Sequence, residues 1–146
     1  MPKHRIAVVF GSDSDWPVME KCVAQLRAFG EEPHVEVMSA HRNPDRVAEF
    51  AEDAEKNGFH VLIAAAGMSN ALAGAVAAHT PLPVIGIPLE GGSLNGLDAL
   101  LSTVQMPPGI PPDPANPHRR PARSPAPGTG RVARSRRGRG GSSQGT

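Results

Sequence analysis

A histidine and an arginine, His41 and Arg42, stand side by side in the stretch VEVMSAHRNPD, where an apolar run stops and a helix pattern begins. The guanidinium of Arg42 can hold a phosphate or a carboxylate through two parallel hydrogen bonds. His41 is a candidate general acid or base, because an imidazole titrates near neutral pH. A lone histidine is more often a surface or capping residue, but this one adjoins a candidate anion-binding arginine. The pair therefore predicts a site that binds an anion and moves a proton.

A second polar segment, GSDSD at 11–15, also separates an apolar run from a helix pattern. The hydroxyls of Ser12 and Ser14 and the free N–H groups of a helix start suit an anion such as phosphate, and Asp15 can accept hydrogen bonds from ribose. Helix capping explains the same residues about equally well. The segment matches neither a Walker A loop nor G-x-G-x-x-G, so no dinucleotide is indicated. A metal site is disfavoured, because no second cluster of carboxylates accompanies it.

Two further loops carry polar or flexible residues. In AAAGMSNALAG, Ser69 and Asn70 can contact a ligand or cap the following helix, and capping is the default interpretation. The glycine-rich loop LEGGSLNG can close over a ligand or serve as a simple connector. The first of these loops adds a third candidate wall to the site, and the role of the second is open between the two alternatives.

Short apolar runs alternate with helix patterns along the chain. The runs read as strands covered on both faces, at 5–10, 34–38, 60–66 and 84–87. Helix patterns follow each run: one from Ser14 or Asp15 to Gly30, one from Asn43 to 57–58, one over 69–79 and one over 96–104. This alternation predicts right-handed βαβ units in an α/β protein, a three-layer α/β/α sandwich with a parallel sheet. Such a sheet usually has a fifth strand.

The predicted topology brings the polar loops together. In an open parallel sheet, ligands bind beyond the carboxyl ends of the strands. The loops at that edge are 11–15, 39–43, 66–70 and 88–96, and they hold Ser12, Asp13, Ser14, Asp15, Ser39, His41, Arg42, Ser69, Asn70 and Ser93. This clustering predicts one site at the carboxyl edge of the sheet.

Composition divides the chain near Pro111. Residues 1–111 carry a net charge of −6, from 7 Lys and Arg against 13 Asp and Glu, whereas residues 112–146 carry +7, from 8 Arg against one Asp. Val132 is the one large aliphatic residue of the second segment, which we therefore expect to be disordered. No apolar run reaches 18 residues and no signal-peptide core is evident, so we expect a cytoplasmic protein without a membrane span. One cysteine excludes an internal disulfide.

Four motifs carry a resemblance that covers residues 5–111. GSDSDW, SAHRNPD, TPLPVIGIPL and GLDALLSTVQMPPGIP resemble the PurE family, the carboxyaminoimidazole ribonucleotide mutases of purine biosynthesis. The resemblance implies a flavodoxin-like fold, a homo-octamer and no cofactor or metal. It implies that a carboxylate moves from the exocyclic nitrogen of the substrate to C4 of the imidazole. It also implies that His41 is the catalytic acid–base and that Ser12, Asp15 and Arg42 hold the ribose phosphate. We add Ser39, Ser69 and Asn70 as candidate substrate-binding residues.

The chain departs from the mutase pattern after the third strand. The mutase branch usually shows Gly-Gly-Ala-Ala-His-Leu-Pro-Gly, whereas this chain has GMSNALAG, with Ala71 where that histidine would stand. The Ser-Asn-Ala-Leu form resembles the branch that carboxylates aminoimidazole ribonucleotide directly with CO2. The choice between mutase and direct carboxylase is therefore open.

The segment 112–146 departs from the family altogether. Its Pro, Arg, Gly, Ala and Ser have GC-rich codons, so we hypothesise a frameshift or sequence error near Pro111. The other reading frames of the gene should then encode a strand and an alanine-rich helix, and finding neither contradicts the hypothesis. The alternatives are an inactive product or an arginine-rich tail that binds RNA nonspecifically. The tail has no aromatic residue for base stacking, so nucleic acid is disfavoured as a partner.

Overall fold

Four apolar runs form one parallel sheet in the computed structural model, which describes residues 4–107 and Ile110. The strands are β1 (Ile6–Phe10), β2 (His34–Val37), β3 (Val61–Gly67) and β4 (Val84–Leu89). Their order is β2-β1-β3-β4, and every neighbouring pair is parallel. This is the flavodoxin-like order through four strands, as the sequence predicted. The segment 112–146, predicted to be disordered, lies outside the described residues.

Four helices connect and follow the strands. They are α1 (Trp16–Ala28), α2 (Pro44–Asp53), α3 (Ala71–His79) and α4 (Leu97–Val104), and a 3₁₀ turn (Asp13–Asp15) precedes α1. Gly30 lies just past α1 with a φ of +84°, a conformation that a glycine adopts without steric cost. The helix predicted to run from Asn43 to 57–58 ends earlier, at Asp53. All four predicted helices are present.

The polar residues at the helix starts do not cap as expected. Asp15, Asn43 and Asn70 occupy the N-cap positions of α1, α2 and α3, and none of their side chains makes a capping hydrogen bond. Only the 3₁₀ turn has such a cap, because the Oγ of Ser12 accepts from the backbone N–H of Ser14 at 3.3 Å. The capping interpretation of Asn70 is therefore wrong, and its side chain bonds elsewhere.

The helices cover both faces of the sheet, which makes the predicted three layers. Helix α1 buries Met19 and Val23 against one face. Helices α2 and α3 pack on the other face, where Val47 and Val76 join the larger core cluster. Helix α4 lies on the same face as α3, because its Thr103 and Ala73 of α3 both approach Gly86 of β4.

Strand β4 lies at one edge of the described sheet. Its Ile85 is 51% exposed, and the outer surface of α4 exposes four aliphatic side chains, those of Leu97, Leu100, Leu101 and Val104. The described residues thus leave a sizeable apolar surface uncovered at this edge. None of the helices within 4–107 has the length and apolarity that crossing a membrane requires.

Gly86 is predicted to set the distance between α4 and the sheet. A Cβ at this position would lie 2.6 Å from the Thr103 Cγ2 and 3.1 Å from the Ala73 Cβ. We expect Gly86→Ala to lower the free energy of unfolding by about 1–3 kcal/mol, because α4 must move away from the sheet. Urea unfolding would measure the change.

The matched control is Gly91→Ala, since a Cβ at Gly91 would meet no heavy atom within 4 Å. This variant should change the free energy of unfolding by less than about 0.5 kcal/mol. Equal losses in the two variants would contradict the packing argument.

Candidate functional site

A cavity of about 520 Å³ lies at the carboxyl edge of the sheet. Two backbone hydrogen bonds continue the strand pairing into its loops: Met38 N–H donates to Phe10 O at 3.0 Å, and Gly11 N–H donates to Ala65 O at 3.1 Å. Gly67 at the end of β3 is in register with Leu89 at the end of β4, so the loops after all four strands meet at this edge. They line the cavity with Gly11, Ser12, Ser14, Asp15, Ser39, Ala40, His41, Arg42, Ala66, Gly67, Met68, Ser69, Ala71, Leu72, Glu90, Gly91 and Gly92.

The loop after β1 contributes hydroxyls and a carboxyl group. The Oγ atoms of Ser12 and Ser14 are 2.9 Å apart and share a hydrogen bond. Asp15 is half-buried where the 3₁₀ turn passes into α1. Burial raises the pKa of its carboxyl group, and a backbone hydrogen bond with Ser12 offsets this only in part. The loop offers donors and acceptors suited to a polar ligand.

The loop after β2 presents His41 and Arg42 at the surface of the cavity. Ser39 shapes this loop, since its Oγ accepts from the Arg42 N–H at 3.3 Å and its carbonyl accepts from the Asn43 N–H at 2.8 Å. Both His41 and Arg42 are exposed. Arg42 forms no salt bridge with a carboxylate of the described residues, so its guanidinium is available to an anionic ligand.

In the loop after β3, the side chains of Ser69 and Asn70 lie in different environments, although both were predicted to bind substrate. Ser69 is exposed and lines the cavity, but Asn70 is 1% exposed and does not line it. The Asn70 Nδ2 donates to Thr103 Oγ1 at 2.9 Å and to Ile87 O at 3.3 Å. Of the seven residues predicted to be catalytic or substrate-binding, six line the cavity, and Asn70 points into the core. Asp13, which the sequence placed in the same cluster, does not line the cavity.

Several lining residues lie in loops that the sequence placed at this edge, but they were not named as site residues. Glu90, Gly91 and Gly92 follow the last residue of β4, and Met68 follows the last residue of β3. Their position directly after a strand could have identified them. The prediction selected polar side chains instead and included Ser93, which does not line the cavity. Met68 has a φ of +49° and packs against Gly92, where a Cβ would lie 3.2 Å from its Cγ. This contact joins the loops after β3 and β4.

The arrangement combines an arginine, a histidine and two carboxyl groups, those of Asp15 and Glu90, around one open cavity. It can bind an anion through Arg42 and the hydroxyls, and it can transfer a proton through His41. Within the described part of the chain, no group of three or more His, Cys, Asp or Glu side chains could hold a metal ion. Fold and site together define a flavodoxin-like α/β protein with a polar pocket at the carboxyl edge of its sheet.

Comparison with known proteins gives the family. The model of the AIR carboxylase family matches residues 5–115, so the chain belongs to that family. It is 51% identical over 107 residues to the N5-carboxyaminoimidazole ribonucleotide mutase of Haemophilus influenzae, covering 73% of this chain and 65% of that protein. It is 52% identical over 109 residues to the mutase of Mycobacterium tuberculosis, covering 75% of this chain and 63% of that protein.

Solved structures agree with this assignment. The crystal structure of Treponema denticola PurE superposes with a TM-score of 0.67 at 32% identity, covering 73% of this chain and 68% of that one. The chain spans 65% and 63% of the length of the two mutases compared above, just under two thirds. The family match over residues 5–115 includes the four strands of the described sheet and the residues that line its cavity.

Proposed function

We propose that this protein is an N5-carboxyaminoimidazole ribonucleotide mutase of purine biosynthesis, an isomerase that uses no cofactor. The observation that carries the proposal is the pair His41 and Arg42 on the wall of a cavity that the loops after four parallel strands share. Relatives named as this mutase are about half identical to the chain over the same region. The reaction needs a proton carrier and an anion-binding group, and the pair supplies both.

Proton balance assigns the role of His41. When the carboxylate leaves the exocyclic nitrogen as CO2, that nitrogen must gain a proton. When C4 of the imidazole then attacks the CO2 and forms the new C–C bond, C4 must lose its proton. One imidazole can donate the first proton and accept the second, so it ends the cycle in its starting state. We assign both transfers to His41, because no other histidine of the described residues lines the cavity.

We assign the ribose phosphate to Arg42 and to polar side chains that line the same cavity. Arg42 and the hydroxyls of Ser12 and Ser39 can donate hydrogen bonds to the phosphate oxygens. The carboxylate of Asp15 can accept hydrogen bonds from the ribose hydroxyls. Ser69 lines the same cavity from the loop after β3 and can bond to the substrate from there. This orientation holds the imidazole ring against His41, in a position where released CO2 is kept close to C4.

A direct carboxylase is the second candidate, and Ala71 favours it. Ala71 lines the cavity at the position where the mutase branch resembled by the sequence carries a histidine. The direct enzyme would take aminoimidazole ribonucleotide and CO2 instead of the N-carboxylated substrate. Assays with each substrate separately decide between the two enzymes. Conversion of the N-carboxylated substrate without release of CO2 into solution supports the mutase. Conversion of aminoimidazole ribonucleotide with dissolved CO2 supports the carboxylase.

His41→Asn should reduce the turnover number by at least about 10²-fold, because the variant cannot carry the proton. Ultraviolet absorbance would follow the interconversion of the carboxylated ribonucleotides. His79→Asn is the control, since His79 lies at the end of α3, with its Nδ1 2.8 Å from the Ala75 carbonyl, and does not line the cavity. Full activity in His41→Asn would refute its assignment as the catalytic residue.

Arg42→Met should raise the dissociation constant of ribose 5-phosphate by roughly 10–100-fold, because a charge-assisted hydrogen bond is lost. Isothermal titration calorimetry would measure the binding. Arg27→Met is the matched control: Arg27 forms a surface salt bridge with Glu32 at the far end of α1, 2.6 Å between Nη2 and Oε1. Equal effects of both variants would show that Arg42 does not hold the phosphate.

We further propose that the protein works as a homo-octamer in the cytoplasm. The apolar surface of α4 and Ile85 supports self-association, because its burial between copies would remove aliphatic side chains from water. The number of copies rests on the resemblance to the PurE family. Light scattering should give about eight times the mass of one chain, and a monomer at micromolar concentration would contradict the proposal.

A further inference from the structure

A short chain of buried hydrogen bonds ties the loop after β3 to helix α4. Asn70 and Thr103 are only 1% and 4% exposed. The Asn70 amide donates to Thr103 Oγ1 at 2.9 Å, and this hydroxyl in turn donates to the Ala99 carbonyl at 2.7 Å. The hydroxyl proton is committed to Ala99, so its oxygen is oriented as an acceptor for Asn70. The two hydrogen bonds therefore depend on each other.

The loop after β3, which these hydrogen bonds connect to α4, forms one wall of the cavity. Met68, Ser69 and Ala71 flank Asn70 and line the cavity, although Asn70 itself does not. The turn is tight, with Asn70 N–H donating to Met68 O at 3.0 Å and Ala71 N–H donating to Ser69 O at 2.8 Å. Met68 has a left-handed φ of +49°, which is uncommon for a residue with a Cβ. The hydrogen bonds of the neighbouring Asn70 amide can help to hold this turn in place.

The amide of Asn70 acts here as a donor. Its Oδ1 is buried and has no hydrogen-bond partner among the described residues, whereas Nδ2 has two. An unpaired buried amide N–H is costly, so loss of the Thr103 oxygen should make the segment rearrange until Nδ2 finds another acceptor. Such a movement would displace Ser69 and Met68 from the cavity wall.

We propose that Asn70 is a positioning residue, and that Thr103 of α4 is its anchor. The pair holds the wall formed by Met68 and Ser69 in the geometry that binds the ribonucleotide. This inference rests on the proposed function, since it concerns the same pocket. It assigns α4, which does not line the cavity, a role in substrate binding.

Thr103→Val tests the proposal, because valine keeps the shape of threonine and removes the hydroxyl. We expect the KM for the N-carboxylated ribonucleotide to rise about tenfold, with kcat within about twofold of the original, since binding geometry and not proton transfer is disturbed. Thr103→Ser should restore the original KM. Amide hydrogen exchange at 67–71 should be faster in Thr103→Val than in the unchanged protein and in Thr103→Ser.

The matched control is Ser102→Ala on the same helix. The Ser102 hydroxyl donates to the Asp98 carbonyl at 2.7 Å and makes no hydrogen bond with Asn70. Its removal should leave KM and the exchange at 67–71 unchanged. If Thr103→Val behaves like Ser102→Ala in both measurements, the proposal is overturned. If Thr103→Val does not fold, Thr103→Cys replaces it, because a thiol accepts hydrogen bonds only weakly and should give an intermediate KM.

The two proposals fail in different ways. If the unchanged protein shows no turnover, the proposed function is contradicted. Amide hydrogen exchange at 67–71 and the binding of ribose 5-phosphate can still test the role of Thr103. Normal turnover with the same KM and exchange in all Thr103 variants contradicts the positioning role and leaves the proposed function standing.

Discussion

Parallel pairing of β1 with both of its neighbours is the constraint on which the site depends. Phe10, the last residue of β1, is in register with Val37 at the end of β2 and with Ala65 near the end of β3. The loops that follow these strands must therefore leave the sheet at the same edge. If any one strand ran in the opposite direction, the loop that follows it would lie at the opposite edge of the sheet. The cavity would then lack the residues of that loop.

The same arrangement separates a rigid floor from a polar rim. Strand β1 is buried on both faces, so its position is set by the packing of two helical layers. Small and apolar residues such as Ala66 and Leu72 line the deeper part of the cavity, whereas His41 and Arg42 lie exposed at its surface. The packed core thus fixes the positions of the strand ends, and the loops carry the polar side chains of the candidate site.

Charges around the cavity are mixed, which bears on the anion it can hold. Asp15 and Glu90 would repel a phosphate, so Arg42 and the hydroxyl donors must outweigh them locally. Burial removes part of the water around the Asp15 carboxylate and thereby raises its pKa. Such a group gains from hydroxyl donors of a ligand, as ribose would provide, and this agrees with a phosphate near Arg42 and a sugar near Asp15.

The sequence alone determined the fold class, the boundaries of most elements and the edge at which the site lies. Apolar runs and helix periodicity are local signals that predict the strands and helices. Because parallel strands place their carboxyl ends at one edge, the loops that follow them are predicted to lie together. The adjacency of Ser12, Asp15, His41 and Arg42 followed from that rule alone.

Only the tertiary structure decided where Asn70 points and that Glu90 belongs to the cavity. Ser69 and Asn70 are neighbours with similar chemistry, yet one is exposed and the other is buried against Thr103, 33 residues further along the chain. The direction of such a side chain depends on a partner from a distant helix. Sequence spacing carries no information about that contact, because it arises only when α4 packs against β4.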